Sequence, residues 1–128
     1  FISSGNDLKI NVRSSTGSGG TNDTIRSSAA LTGGTYLFLA ASIDSSNSYT
    51  GYLGDSGVAT TSTGTQSNRA VSSRKLAVGD VHYDNASFTG DVEVAEFIVF
   101  DSAKTSAELD DIYDRSVARM SARNITVE

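Results

Sequence analysis

Residues 75–113 carry five signals in a fixed order, and that succession constrains the fold more than any other part of the chain. A short run closing on Gly79 and Asp80, KLAVGD (75–80), precedes a polar stretch, VHYDNAS (81–87). A glycine turn at Phe88 and Gly90 follows, and then the apolar run VEVAEFIVF (92–100). The β-branched and aromatic side chains of that run suit a pleated strand. After it, Thr105 with Glu108 three positions on has the form of a capping box, in which each side chain satisfies the other's backbone N–H. Leu109, Ile112, Tyr113, Val117 and Met120 then recur at helical spacing. A helix over about residues 105–119 is expected, docked by that stripe.

Upstream the pattern is strand-like. Leu8, Ile10 and Val12 alternate with Lys9 and Asn11, as in a half-buried strand. Residues 14–23 (SSTGSGGTND) read as a hairpin loop and 24–30 as the returning strand. Residues 36–43 are apolar on both parities, with Leu37, Leu39, Ala41 and Ile43 on one face and Tyr36, Phe38 and Ala40 on the other. A central strand covered twice is expected there. Residues 58–63 form a weaker strand and 64–73 a loop, for a total of about eight strands.

This order resembles the end of the laminin G-like jelly roll, the sandwich of concanavalin A-like lectins and glucanases. That family places an "IG" strand end before a variable loop, an aromatic-x-Gly turn, an "IAEV/F-I-V-Y/F-D" strand and an "LS-x-x-E" helix. Here Val78 and Gly79, Phe88 and Gly90, the run VAEFIVFD (94–101), and Thr105, Ser106 and Glu108 occupy those slots. More weakly, LTGGTYLFLAASID (31–44) and YTGYLG (49–54) match earlier family strands, with Tyr36 where a tryptophan is common. The resemblance spans residues 8–120. The chain departs from it in having no Trp and in two extra residues between Gly90 and Val94. An insertion of two keeps every strand side chain on its original face.

The resemblance implies an all-β antiparallel sandwich, a concanavalin A-like jelly roll with one C-terminal helix, in a single domain over residues 1–128. Leu37, Leu39, Ile43, Leu76, Val78, Phe97 and Val99 are expected to share one core between two sheets. Such a sandwich uses a dozen or more strands in a longer chain, so the N-terminal strands are expected to be missing. The abrupt apolar start at Phe1 and Ile2 points to a larger protein.

Composition narrows the function classes. Ser (21) and Thr (13) suit strand edges and polar loops, and together with only 38% hydrophobic residues they imply a thin core. The absence of cysteine excludes a disulfide framework and a thiolate metal site. With a single histidine, His82, a histidine-rich zinc site is excluded too, which leaves oxygen ligands for a cation. A net charge of -5 argues against nucleic acid, whose binders gather Lys and Arg on one surface. Arg115, Arg119 and Arg123 do form a stripe, but Asp110, Asp111 and Asp114 precede them, so the charges complement the helix dipole. No apolar run is long enough for membrane insertion, and no signal-peptide pattern is present.

Two hydrolase patterns are incomplete here. The glucanases of this sandwich pair glutamates across the glycosidic bond in E-x-D-x-x-E, whereas Asp91, Glu93 and Glu96 here read D-x-E-x-x-E. Glu93 and Glu96 would face opposite ways on a regular strand, and Glu96 is expected to be a partly buried structural acid. A serine hydrolase lacks its G-x-S-x-G elbow. No catalytic residue is therefore assigned. Three N-x-S/T sequons, at Asn22, Asn85 and Asn124, arise readily by chance in so Ser/Thr-rich a chain.

Binding residues in a sandwich gather on rim loops. Asp80, His82, Tyr83, Asp84 and Asn85 lie within six positions and combine sugar hydrogen-bonding groups with a stacking ring. Asp80, Asp84 and Asn85 supply hard oxygens for Ca²⁺; family members often bind Ca²⁺ or glycan at such loops. Turn geometry explains Asp84 and Asn85 equally well. Tyr49, Tyr52 and Asp55 form a second candidate, unless the tyrosines fill cross-strand pairs. The expected function is a non-catalytic, lectin-like attachment module for a glycan or cell-surface receptor. Its expected setting is extracellular, on a bacterial surface or a phage tail or fibre, with neighbouring protein subunits. A structural virion or surface assembly module is the alternative, and a glycoside hydrolase the third reading.

Overall fold

A computed structural model describes residues 2–4, 7–13, 20–26, 35–54, 60–65 and 93–127; of 2–4, 7–13, 20–26 and 60–62 it gives the backbone alone. β1 (Ile2–Ser4), β2 (Asp7–Arg13) and β3 (Gly20–Arg26) form one antiparallel sheet in the order β1-β2-β3. β4 (Phe38–Ile43), β5 (Ser48–Gly54) and β6 (Thr60–Thr65) form a second, in the order β4-β5-β6. The two approach each other through β3 and β6. α1 (Ser106–Ser121) packs on β4 and β5.

This is a mixed α/β arrangement, and it overturns the all-β concanavalin A-like jelly roll. The described part is two small three-stranded meanders with a helix supplying half of the second sheet's core. The discrepancy centres on residues 93–100, which read as the strongest strand in the sequence. Among the described residues this run pairs with no strand. Its apolar side chains stay largely in solvent, Phe97 at 54% and Val99 at 71% exposure. The run is instead fastened to α1. Glu96 accepts from Arg119 through both carboxylate oxygens, each at 2.8 Å, and from Ser116 Oγ at 2.9 Å. Arg123 reaches the Ala95 carbonyl at 3.3 Å. The expected core fails accordingly at Phe97 and Val99 and at Leu39, 37% exposed on β4. Leu37 and Ile43 do pack in a core; Leu76 and Val78 lie outside the described residues.

The central strand is β5 rather than β4. Residues 51–54 are all buried, whereas β4 leaves Leu39 and Ala41 exposed. Odd-numbered Leu37, Ile43, Tyr49 and Leu53 gather on one face. Even-numbered Phe38, Ala40 and Tyr52 meet Leu109, Ile112, Tyr113 and Val117 of α1 on the other. Period-two alternation in the strands and 3.6-residue spacing in the helix place these two stripes against each other. Phe38, Tyr52 and Tyr113 interlock, with ring centroids 5.5 to 6.3 Å apart and Phe38 edge-on to Tyr52 at 87°.

The helix matches its sequence pattern closely. Thr105 has extended backbone angles and accepts from the Glu108 N–H at 3.3 Å, while Glu108 accepts from the Thr105 N–H at 2.8 Å. At the other end Asn124 takes the left-handed conformation (φ 60°) that ends a helix, with the Ile125 N–H on the Met120 carbonyl. The C-terminal stretch then returns to the sheet, where Val127 bridges Tyr36 in parallel.

These contacts make stability depend on acid. The Arg119 guanidinium holds the Glu96 carboxyl below the usual range, and the Thr105 N–H does the same for Glu108. Because the folded values are depressed, their contribution is complete above the unfolded carboxylate pKa of about 4.3 and is lost as pH falls through the folded values. Urea midpoints are expected to stay level from pH 7 to about pH 5 and then decline toward pH 3, less steeply in a Glu96→Gln variant. An acid decline in that variant matching the wild type would remove Glu96 from the account.

Candidate functional site

The sheet face under α1 changes character along its length. At one end β4 and β5 present Phe38, Ala40 and Tyr52 to the helix. At the other the same parity continues as Ser42, Thr50 and Ser48, with Ser42 opposite Thr50 in the ladder. These hydroxyls lie beyond the start of α1, where Lys104 and Thr105 approach. The result is an open recess of about 230 Å³ lined by Ser42, Asp44, Ser48, Thr50, Lys104 and Thr105.

Local turn chemistry sets its walls. Asp44 ends β4 and accepts the Ser46 and Ser48 N–H groups on Oδ1 at 2.8 and 2.9 Å, an Asx-type closure of the hairpin. Asn47 completes the turn at φ 64°, a region that asparagine tolerates better than most residues. Ser42 Oγ accepts the Lys104 N–H at 2.7 Å, which anchors the approach to the helix and leaves its own proton to donate. Lys104 Nζ donates to Ser102 Oγ at 2.8 Å and lies 5.2 Å from the centre of the Phe100 ring. The recess therefore offers hydroxyls that both donate and accept and a carboxylate oxygen within one small volume, while the Lys104 ammonium turns toward Ser102 and Phe100. That set suits a neutral polyhydroxylated ligand, whose hydroxyls also do both.

A second depression, about 300 Å³, runs between residues 96–100 and α1, lined by Ile98, Phe100, Ile112, Arg115, Arg119 and Glu96. Its floor is apolar and its rim cationic, apart from the Glu96 already bound to Arg119.

The sequence candidates fall differently. Asp80, His82, Tyr83, Asp84, Asn85 and Asp55 lie outside the described residues, so the rim loop and its Ca²⁺ ligands Asp80, Asp84 and Asn85 are not placed. Tyr49 and Tyr52 are buried, at 2% and 0% exposure, and fill opposite faces of β5. Tyr52 donates to Asp110 Oδ1 at 2.7 Å, and burial followed by that bond holds its phenol protonated well above the usual tyrosine range. Neither ring face is open to a ligand. Of the acids weighed for hydrolysis, Glu93 accepts from the Tyr36 hydroxyl at 2.8 Å and Glu96 serves the Arg119 clasp, as expected of a structural acid. Among the described residues no group of three acidic or histidine side chains is placed to hold a metal ion. No described helix is long and apolar enough to cross a membrane.

The recess residues do not stand out in the sequence because Ser and Thr are everywhere in it. The usable signal was the switch within one parity of β4 and β5, from Phe38 and Tyr52 to Ser42 and Ser48, next to the helix cap. No protein-family model matches the chain, and no match was found among curated proteins or solved structures.

Proposed function

We propose that this chain is a non-catalytic attachment module that binds a sugar through the recess at the start of α1. The observation that carries the reading is the hydroxyl-lined end of the β4–β5 face, with Ser48, Thr50, Asp44 and Lys104 converging on one volume. Sugars are recognised by cooperative hydrogen bonds to hydroxyls that donate and accept at once, and such groups line this recess. It is shallow and open, so a single site binds weakly and gains strength by multivalent display. Display on a cell surface or a phage fibre belongs to the same proposal and rests on composition.

The experiment is a glycan screen on the intact protein with two near-isosteric variants. Thr50→Val removes a hydroxyl and keeps the volume; Asp44→Asn keeps the turn-closing Oδ1 and removes the charge. Each is expected to weaken binding of a wild-type hit by about tenfold, the loss of one to two hydrogen bonds, with an unchanged melting temperature. Wild-type affinity in both variants would exclude the recess. The rim loop remains the second glycan reading because of its composition, Asp80 to Asn85. Loss of binding in Tyr83→Ala/Asp84→Ala, with Thr50→Val unaffected, would favour it.

A further inference from the structure

α1 carries its exposed charges in two blocks. Asp110, Asp111 and Asp114 lie toward its N-terminus, and Arg115 and Arg119 toward its C-terminus, with Arg123 just beyond. Within one copy the order complements the dipole. On the solvent side it also makes a strip that is complementary to itself when reversed. Asp111 and Arg115 are one turn apart on the face away from the buried stripe of Leu109, Ile112, Tyr113 and Met120. Arg115 Nε donates to the Asp111 carbonyl at 3.0 Å. The other guanidinium nitrogens have no partner among the described residues. Beside Arg115 the strip continues into the apolar depression floored by Ile98 and Phe100, flanked by exposed Phe97 and Val99.

We propose that a second copy of this chain docks on this surface, α1 against α1 and antiparallel, about a two-fold axis level with Tyr113. Asp111 of each copy then meets Arg115 of the partner subunit, because the two positions are equidistant from residue 113. A two-fold axis perpendicular to both helices and to the line joining them keeps each flank on its own side. The two apolar runs of residues 97–100 therefore come together beside the helix pair and shield each other from water. The alternative parallel pairing sets acid on acid and base on base. A net charge of -5 repels a second copy on average, and among the described residues this strip sets opposite charges next to uncovered apolar surface. The pairing does not depend on what the recess binds, though it doubles the recesses per particle.

Sedimentation equilibrium on the full chain tests it, with Arg115→Glu, Asp111→Arg, the double exchange and Phe100→Ser. The wild type is expected to be a dimer that weakens with added salt. Each single charge reversal should raise the dissociation constant at least about tenfold, and the double exchange should return it to within about threefold of wild type. Phe100→Ser should weaken pairing without changing its salt dependence. Far-UV circular dichroism separates these effects from loss of the helix. A wild type that stays monomeric to about 100 µM overturns the proposal. So does a dimer indifferent to Arg115→Glu and Phe100→Ser, or a double exchange that fails to recover.

Discussion

A Leu109→Ala variant is expected to lose about 2–5 kcal/mol of unfolding free energy, the largest single effect foreseen. Leu109 is 3% exposed and belongs to the cluster with Tyr52, Ile112 and Tyr113. Truncation removes contacts on the side of α1 that faces the sheet, and the aromatic rings around the site are too rigid to collapse into the space. Leu39→Ala serves as the control. Its side chain is 37% exposed on β4, and a change away from the core is expected to cost under about 1 kcal/mol. Urea denaturation of the two variants distinguishes a helix that forms the core from one that rests on the surface. Equal losses would contradict the packing.

Gly54→Ala is expected to destabilise by about 1–3 kcal/mol through overpacking. Gly54 ends β5 directly beneath the Tyr113 ring, and a Cβ there would overlap the ring atoms. The aromatic ring is held by Phe38 and Tyr52 on its other sides and has little room to move. The cost should therefore shrink in a Tyr113→Leu background, since the clash and the ring disappear together. A double-mutant cycle measures that coupling directly. Additive losses would place the origin elsewhere, in the backbone of β5.

The parts of this fold that sequence reveals are those fixed by local chemistry. The capping box at Thr105 and Glu108, the stripe from Leu109 to Met120 and the alternation at Leu8, Ile10 and Val12 each depend on residues a few positions apart, and each corresponds to an element in the structure. The β4–β5 turn at Asp44 and Asn47 is equally local in its chemistry, yet residues 49–54 stand out in the sequence only through the family resemblance, which sets a hairpin at Tyr49 to Asp55 where the structure has the single strand β5 through Gly54. Strand order and burial depend on partners distant in the chain. Residues 36–43 are more apolar than 48–54, yet β5 is central because it pairs with β4 on one edge and β6 on the other, and its Gly54 lets the Tyr113 ring approach closely.

Residues 92–100 mislead most. Their β-branched and aromatic content satisfies every local rule for a strand, but Glu96 binds Arg119 and Ser116 from α1, and the described run has no ladder. Propensity describes what a segment tolerates, and ion pairing with a helix more than twenty residues away is not written in it. Tyr49 and Tyr52 show the same limit. A hairpin tyrosine serves equally as a stacking platform or as a core ring, and only burial distinguishes the two.

The proposal that the β4–β5 face changes from core to binding recess along its length is tested most directly by amide chemical-shift mapping during titration with a sugar found in the glycan screen. The account predicts saturable shifts at Ser42, Asp44, Ser48, Thr50 and Lys104, with little change at Tyr52 and Leu109 under the helix. Shifts confined to Asp80, His82, Tyr83, Asp84 and Asn85, with the recess amides unmoved, would contradict it.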